Sequence, residues 1–277
     1  MSVMQIVKGD GTQEEFDVRK LEESFKRSGT PPDVASKTAA EVARTVQSGM
    51  TTTEIYKNAY KLLKKKEKVI AARYSMRRAI LELGPTGFPF EDYVCELMRA
   101  YGYTATVRQT LKGRCSEHEV DVVLSKGDQH IGAELKFHNA PGFKTDLKTA
   151  LYVRARYWDI EYGAKDRNEQ CAIDEAWLVT NTKFTKHAIE YAKCAGITLL
   201  GWSYPLDKNL ADMIQETGVY PVTVLSGLSK NEKRQLLRSG VTLCKMISED
   251  PSVLKKAGIV QRKHANIVSE SRSLCGM

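Results

Sequence analysis

The chain has 277 residues, 42% of them hydrophobic, and its 42 lysines and arginines outnumber 34 aspartates and glutamates, giving a formal charge of +8 and a pI near 9.0. This length suits more than one compact domain, and without an 18-residue apolar run or a signal peptide we expect a cytoplasmic protein that has no membrane segment. The basic charge favours a polyanionic partner, while the six cysteines show neither a CxxC pair nor a zinc-type Cys/His cluster.

The N-terminal segment has the pattern of a small, mostly helical domain. Residues 4–16 predict two short strands joined by a turn around Lys8-Gly-Asp-Gly-Thr12, and three or four helices follow, one of which begins near Thr52. Glycine and proline between Leu83 and Pro89 interrupt the helical pattern. We therefore predict a first domain over residues 1–84.

This segment resembles the ATP-cone, a nucleotide-sensing domain that precedes ribonucleotide reductases and some bacterial repressors. The matching elements are Val7-Lys8, Arg19-Lys20-Leu21, Thr51 to Ile55, and a terminal helix with Tyr74. The resemblance implies a regulatory ATP or dATP, with Lys8 and Lys20 on its phosphates. Val7 and Thr52 would lie beside the nucleotide.

The glycine pattern of this segment argues against ATP hydrolysis. Gly9 stands where many ATP-cones have a second basic residue, and the Walker pattern of spaced glycines followed by Lys and Ser/Thr is absent. A helix start near Thr52 adds amide donors to the two lysines. We expect ATP to be a signal here; the alternative is a charged helical domain without a ligand.

The next predicted element is an amphipathic helix that begins at Phe88 and ends at Gly102. It carries Glu91 in its first turn, where the helix dipole stabilises an acid whatever its function. Structural and functional roles for Glu91 are both open at this point.

Two alternating runs between Ser116 and His138 predict a β-hairpin with charged side chains on one face. Successive strand side chains point to opposite faces, so Glu134 and Lys136 share a side. Turn residues at 125–129 separate the runs and let Asp121 face Glu134. Two carboxylates there suit Mg²⁺, and a lysine on the same face can position water or offset charge at a phosphate. The competing interpretation is that these charged side chains simply form the solvated face of a strand.

These elements resemble the PD-(D/E)xK nucleases, especially Mrr-type restriction endonucleases and Holliday-junction resolvases. A strand, helix and strand between Ala176 and Gly201 complete the resemblance. It implies that Asp121 and Glu134 are ligands of Mg²⁺ or Mn²⁺. It also implies that Lys136 is the catalytic lysine and Glu91 the helix acid.

Two departures from that family pattern are present. Leu135 stands where Mrr-type enzymes often have cysteine, and the family's glutamine on the next helix has no match between Asp146 and Asp159. Basic side chains in this part of the chain are candidates for DNA phosphate contacts, namely Lys148 and Arg154 with their neighbours Lys144 and Arg156. The alternative is a solvated helix face.

The C-terminal segment has a pattern of short helices joined by glycine. Residues 222–247 resemble a helix-hairpin-helix unit with Ser229 and Glu232 as a capping box and Gly240 as the hairpin glycine. A looser second copy centres on Ala257-Gly258-Ile259. Such hairpins bind DNA through backbone amides that face a phosphate, so Gly240 is a DNA-binding candidate. Packing against the core, or dimer contacts, is the alternative.

These patterns predict an α/β multidomain protein: a mostly helical ATP-cone (1–84), a restriction-endonuclease-like α/β sandwich with a mixed sheet (85–202), and a small helical tail (203–277). The implied function is a nucleotide-regulated, Mg²⁺- or Mn²⁺-dependent endonuclease acting on DNA, including branched or damaged DNA, as a homodimer or higher homo-oligomer. The alternative is an ATP- or dATP-responsive DNA-binding regulator that keeps the nuclease fold and acts through oligomerisation. The DNA substrate and the direction of regulation stay open.

Overall fold

The computed structural model describes residues 4–9 and 11–275, so Asp10 of the expected turn and the extreme ends of the first and last predicted domains lie outside the described residues. The chain is an α/β protein with a mostly helical N-terminal region, a mixed central sheet and a helical C-terminal region, which confirms the predicted fold class. In the described parts of the chain, no helix is both long and apolar enough to cross a membrane.

The N-terminal region combines a small antiparallel sheet with helices. Its described elements are β1 (Gln5–Val7), β2 (Gln13–Glu15), α1 (Val18–Arg27), α2 (Pro32–Ala43), α3 (Thr52–Lys66), α4 (Lys68–Tyr74) and α5 (Met76–Leu81). Asp17 caps α1 by accepting a hydrogen bond from the Arg19 amide (2.9 Å), and Thr51 and Glu54 form a capping box at α3. The helices enclose their own apolar core around the fully buried Phe25.

The last helix predicted for this region is divided into α4 and α5. At the break, the Ser75 hydroxyl donates to the Ala72 carbonyl (2.8 Å), the kind of local bond by which serine competes with regular helix. Among the arginines on either side of this break, Arg73 and Arg77 line a cavity, whereas Arg78 is exposed.

The central region is built on a five-stranded mixed sheet. Its elements are α6 (Phe88–Ala100), β3 (Thr104–Lys112), β4 (Glu117–Lys126), β5 (Gln129–Lys136), β6 (Lys144–Thr145), α7 (Leu147–Asp166), β7 (Glu175–Thr180), β8 (Lys183–Phe184), α8 (Lys186–Ala195) and β9 (Ile197–Leu200). The strand order is β3-β4-β5-β7-β9, antiparallel from β3 to β5 and parallel from β5 to β9. The short strands β6 and β8 pair separately.

Helices cover both faces of this sheet. One face packs with α6 in a large apolar cluster, and the other packs with α7 and α8 in a second cluster. Gly132 on β5 lets α7 approach closely, because a Cβ there would lie 2.4 Å from the Tyr157 ring. This approach places α7 over the face that carries the predicted site.

The turn of the central hairpin is shorter than expected. Lys126 still pairs with Gln129, so only Gly127 and Asp128 form the loop instead of the five residues predicted. Gly127 has φ of +60°, and such a left-handed residue permits a two-residue turn.

The C-terminal region is a set of helices that returns to the rest of the molecule. Its elements are α9 (Leu210–Thr217), α10 (Lys230–Arg238), α11 (Cys244–Glu249), α12 (Ser252–Lys256) and α13 (His264–Cys275), with 3-10 turns at Val222–Val224 and Gln261–Lys263. Ser229 and Glu232 form the predicted capping box. Gly240 and Gly258, both at φ near +75°, follow α10 and α12 and end them in the same way.

Candidate active site

Asp121 and Glu134 lie opposite each other on neighbouring strands. The ladder between β4 and β5 ends with the pair of Val122 and Ala133, so one step further along brings Asp121 across from Glu134. Alternation places both on the sheet face that α7 covers. Lys136 is two residues beyond Glu134 on that face, and its side chain is exposed.

The orientation of Asp121 is fixed by the backbone of the neighbouring strand. Its Oδ2 accepts a hydrogen bond from the amide of Leu135 at 2.7 Å. Burial raises the pKa of Asp121, while this hydrogen bond and the charge of Arg156 oppose the rise. The carboxylate is thus held in place and only partly solvated.

Glu134 pairs with the guanidinium of Arg156, which comes from α7; the exposed fractions of the two side chains are only 16% and 11%. Burial, and after it the charge of Asp121, raises the pKa of Glu134 to about 7, outweighing the attraction of Arg156 and Lys136. Two partly buried carboxyl groups on facing strand positions, one of which raises the pKa of the other, favour a further cation. The pair therefore attracts positive charge.

Glu91 reaches this cluster from α6. It is buried, and its Oε2 accepts a hydrogen bond from Arg108 (3.0 Å), which also donates to Asp92 (2.7 Å). Burial raises the pKa of Glu91, and the charge of Asp121 adds to the rise. These two acids therefore lie within electrostatic reach of each other.

Arg108 has a left-handed backbone in the middle of β3. Its φ is +52°, and it lies between the paired residues Val107 and Gln109, at the position opposite Asp121. For a residue other than glycine this conformation costs of order 1–3 kcal/mol, and such strain is concentrated at functional sites. Sequence reasoning missed Arg108, since an arginine in an alternating run gives no signal of this backbone geometry.

The chain just beyond Lys136 is clamped by the end of β7. Thr180 Oγ1 donates to the Lys136 carbonyl (2.7 Å), and Asn181 both donates to the His138 carbonyl (2.7 Å) and accepts from its amide (2.8 Å). The His138 ring forms a hydrogen bond with Thr145 (3.2 Å), and burial lowers its pKa. These contacts hold the lysine backbone while its side chain faces solvent.

Arg156 is the second residue of this cluster whose position the sequence did not indicate. It stood among four basic residues expected near phosphates, but in the structure it donates to Glu134 and to the Glu119 carbonyl (2.8 Å) and lies over the Tyr152 ring at 4.5 Å. It comes from the helix on which the family pattern has a glutamine. Only the packing of α7 on Gly132 could reveal this contact.

The donor set of Asp121 and Glu134 fits a small divalent ion. Mg²⁺ typically takes one or two carboxylates and completes its octahedron with water and substrate phosphate oxygens. Among residues 4–9 and 11–275, no group of three His, Cys, Asp or Glu side chains is arranged to hold a metal. The two facing carboxylates are thus the protein ligands available, and Glu91 stays a neighbour held by Arg108.

The first strand and the third helix of the N-terminal region meet at the predicted nucleotide residues. The amide of Val7 donates to Met50 (2.9 Å), and Val7 forms a parallel bridge with Thr51. Thr51 is the cap of α3, so Thr52 is its first helical residue rather than the residue before it. The end of β1 thus lies beside the amide-rich start of a helix.

Lys8 and Lys20 both pair with one acid, Glu14. Lys20, Glu14 and Thr52 line a small cavity of about 180 Å³ whose wall includes Tyr56. The structure therefore brings the predicted phosphate contacts together around a carboxylate, at a cavity that contains aromatic and apolar side chains.

The three DNA-binding candidates lie at two separate places. Lys148 and Arg154 are on α7, where Lys148 is exposed and the Arg154 guanidinium lies 4.9 Å from the Trp158 ring centroid. Gly240 is exposed at the end of α10, and the first amide of the following helix, that of Cys244, donates to Tyr220 (2.9 Å). Their contact with DNA stays a prediction.

Three family models match consecutive parts of the chain. Residues 4–82 match the ATP cone domain, residues 85–203 match a restriction endonuclease model of the Mrr catalytic type, and residues 220–275 match the C-terminal part of AF1548-like proteins. The chain thus contains an ATP cone fused to an Mrr-type restriction endonuclease domain, as the resemblance implied.

Two relatives match most of the chain. An uncharacterized protein of Archaeoglobus fulgidus is 32% identical over 184 residues, which span 66% of this chain and 100% of that protein. The crystal structure of AF1548, a protein of unknown function, has a TM-score of 0.57 and 30% identity, covering 69% of this chain and 100% of that chain. Neither description assigns an activity.

Proposed function

The chain belongs to the AF1548-like family, and we propose that it is a nucleotide-regulated, divalent-metal-dependent DNA endonuclease. The observation that carries the proposal is that Asp121, Glu134 and Lys136 share one sheet face, with Glu91 beside them. The restriction endonuclease match over residues 85–203 and the charge of +8 support the same class of substrate.

In this proposal, Asp121 and Glu134 bind Mg²⁺ or Mn²⁺ through their carboxylate oxygens. The bound ion supplies Lewis acidity at the scissile phosphate and an activated water. Lys136 positions the attacking oxygen and offsets the negative charge that develops on the phosphorane. Glu91, oriented by Arg108, assists the metal or the base step. Hydrolysis of a phosphodiester bond follows.

Regulation is assigned to the ATP cone. Lys8 and Lys20 leave Glu14 and bind the phosphates of ATP or dATP, because a triphosphate carries more negative charge than one carboxylate. Thr52 contributes amide donors from the start of α3. Val7 holds the end of β1, which Lys8 follows directly, beside that helix.

The most direct test removes the lysine. Lys136→Ala is expected to lower cleavage by roughly 10²–10³-fold, the usual effect of losing one group that stabilises transition-state charge. DNA binding should change little, since most of the affinity comes from phosphate contacts elsewhere. The assay uses dialysed protein with branched, linear and nicked DNA, Mg²⁺ or Mn²⁺, and no nucleotide, ATP or dATP.

Lys126→Ala is the matched control, because Lys126 is an exposed lysine at the far end of the same hairpin. It should cleave like the unchanged protein, and Glu134→Ala should not cleave. Undiminished Mg²⁺-dependent nicking by Lys136→Ala would sink the assignment.

The second candidate is a DNA-binding regulator that responds to ATP or dATP through oligomerisation. One contact favours it: Arg156 already neutralises Glu134 in the structure. The same panel separates the two functions. A regulator would bind DNA and change its sedimentation with nucleotide, and would cleave none of the substrates with either metal.

A further inference from the structure

A cavity of about 380 Å³ lies between the ATP cone and the rest of the molecule, apart from the sites described above. The cone contributes Arg73 and Arg77, and the end of the endonuclease domain contributes Lys183 and Trp202. We call it the interdomain cavity. Its volume is in the range of roughly 300–1,000 Å³ typical of small-molecule sites.

Two of the arginines that line the interdomain cavity have no acidic partner among the described residues. The Nε atoms of Arg73 and Arg77 are buried without a hydrogen-bond partner, and in the described chain neither guanidinium forms an ion pair. Burial lowers the pKa of Arg77, with no acid to oppose the shift. By contrast, Arg108 and Arg156 each pair with carboxylates. Partly buried cations without partners are costly, so this arrangement is suited to an anion.

The remaining lining of the cavity points to the same class of ligand. Arg27 also lines it, so four cationic side chains face one carboxylate, that of Asp212. Asp212 already accepts a hydrogen bond from the Asn209 side chain (2.6 Å) in the cap of α9. Tyr74 also lines the cavity, but its ring is stacked on Tyr56, so Trp202 supplies the aromatic surface. Fork-shaped guanidinium groups match phosphate oxygens, and the Trp202 ring adds an aromatic surface beside them.

We propose that the interdomain cavity is a second phosphate-binding site, distinct from the pocket at Lys8 and Lys20, and that it takes a nucleotide-sized polyphosphate. The ligand bridges the cone, through Arg73 and Arg77, to the endonuclease domain, through Lys183 and Trp202. Such a ligand favours the arrangement in which both parts contact it.

This site has a short connection to the candidate active site. The Trp202 amide donates to the Thr182 carbonyl (3.0 Å), the Thr182 and Thr180 hydroxyls share a hydrogen bond (3.3 Å), and Thr180 donates to the Lys136 carbonyl (2.7 Å). In addition, Tyr74 lines both this cavity and the cone pocket. A ligand in the interdomain cavity therefore contacts elements that adjoin both other sites.

The test measures binding of inorganic tripolyphosphate and of ATP to the full chain by titration calorimetry. Lys8→Ala/Lys20→Ala removes the cone contacts, and we expect one equivalent of either ligand to bind in that background. Arg73→Met and Arg77→Met, which keep an unbranched apolar side chain, should each weaken that binding about tenfold or more, the loss typical of a charged hydrogen bond. Arg78→Met is the matched control and should leave it unchanged, since Arg78 pairs with Glu82 outside the cavity.

The outcomes distinguish failure of the interdomain site from failure of the nucleotide site at Lys8 and Lys20. If ATP stoichiometry is the same with and without Lys8 and Lys20, the cone assignment fails while the interdomain site stands. If Arg73→Met/Arg77→Met keeps tripolyphosphate affinity within twofold, or if only a DNA oligonucleotide binds through these arginines, the interdomain proposal is overturned.

Two further measurements protect against a folding artefact. Without ligand, the double variant should unfold at the same or a higher temperature, because an uncompensated charge has been removed; a lower temperature with unchanged affinity overturns the proposal. Lys183→Met alters an exposed side chain on the opposite wall and should also weaken tripolyphosphate binding, and unchanged affinity in that variant would contradict the bridging geometry.

Discussion

Two of the three carboxyl groups in the candidate active site form an ion pair with an arginine. Glu91 is held by Arg108, and Glu134 by Arg156, while Lys136 adds a third positive charge at the open side. Even so, burial raises the pKa of both Glu91 and Glu134. The site thus keeps acids in an environment where their ionised forms are unfavourable, which is a stability cost that a structural strand face would not need.

This cost predicts a specific pH dependence for Glu134. Its pKa rises from 4.5 in an unfolded chain to about 7 in the fold, so the native state binds more protons between these values. Its contribution to the free energy of unfolding is therefore most favourable near pH 4.5 and declines as pH rises to 7, by up to roughly 3 kcal/mol. Glu134→Gln, measured by urea denaturation in EDTA, should be more stable than the unchanged protein at pH 8 and similar to it at pH 5.

Glu117→Gln is the control for this measurement, since Glu117 is an exposed acid on β4 that does not shift the pKa of Asp121 or Glu134. It should not change the difference in stability between pH 5 and pH 8. Equal stability of Glu134→Gln and the unchanged protein at pH 8 would show that Glu134 is not destabilised by burial.

At the residue scale, the sequence predicts which side chains face each other where strand alternation alone decides it. Asp121 and Glu134 were placed face to face because strand periodicity and a turn are enough to decide which residues meet. The partners Arg108 and Arg156 depend on a left-handed φ and on how closely a helix packs on glycine. Those are properties of tertiary structure, so local patterns could not reveal them.

At the scale of a single element, the helix α7 carries Arg156 to the sheet. Two glycines set its position: Gly132 beneath Tyr157, and Gly163 against the loop before β4. At Gly163 a Cβ would lie 2.4 Å from the backbone of Gly113 and 2.5 Å from that of Arg114. Backbone atoms cannot move aside as a flexible side chain can, so a larger residue at position 163 would require α7 or this loop to shift.

We therefore expect Gly163→Ala to push α7 away from the sheet. Overpacking of this kind typically costs about 1–3 kcal/mol, and this should appear as a lower urea midpoint. Cleavage should fall as well, because Arg156 would no longer reach Glu134. Gly142→Ala is the matched control: nothing lies within 4 Å of a Cβ there, so stability and cleavage should stay unchanged. Equal midpoints for the two variants would contradict the close contact.

Helix and turn ends show where element-scale prediction succeeds. The capping box of Ser229 and Glu232 was predicted because its bonds join residues three apart. The break at Ser75 and the two-residue turn at Gly127 were missed. Both involve a choice between two acceptable local structures, which packing around them decides.

At the scale of the whole molecule, domain limits in sequence and apolar cores in space do not coincide. Residues of α4 and α5, which lie within the ATP cone match, belong to the same apolar cluster as α6, the sheet and the C-terminal helices. Hydrogen bonds follow this division: Thr223 donates to the Ala79 carbonyl (2.7 Å), and Lys233 pairs with Glu82 (3.0 Å). The glycine-rich junction in the sequence gave no indication that α4 and α5 share an apolar core with the C-terminal helices.

This arrangement predicts that α5 loses its stability together with the C-terminal helices rather than with the cone. Ile267→Ala removes a fully buried side chain of α13 in the large cluster, at a typical cost of about 2–5 kcal/mol. Hydrogen exchange followed by mass spectrometry should then show reduced protection in both α13 and α5.

Ile55→Ala is the matched change in the cone's own core, and it should reduce protection in α1 to α3 while sparing α13. If Ile267→Ala left α5 protected, or Ile55→Ala exposed α13 equally, the cone would be an independent unit. Its last helix could then not transmit a nucleotide signal through this shared core.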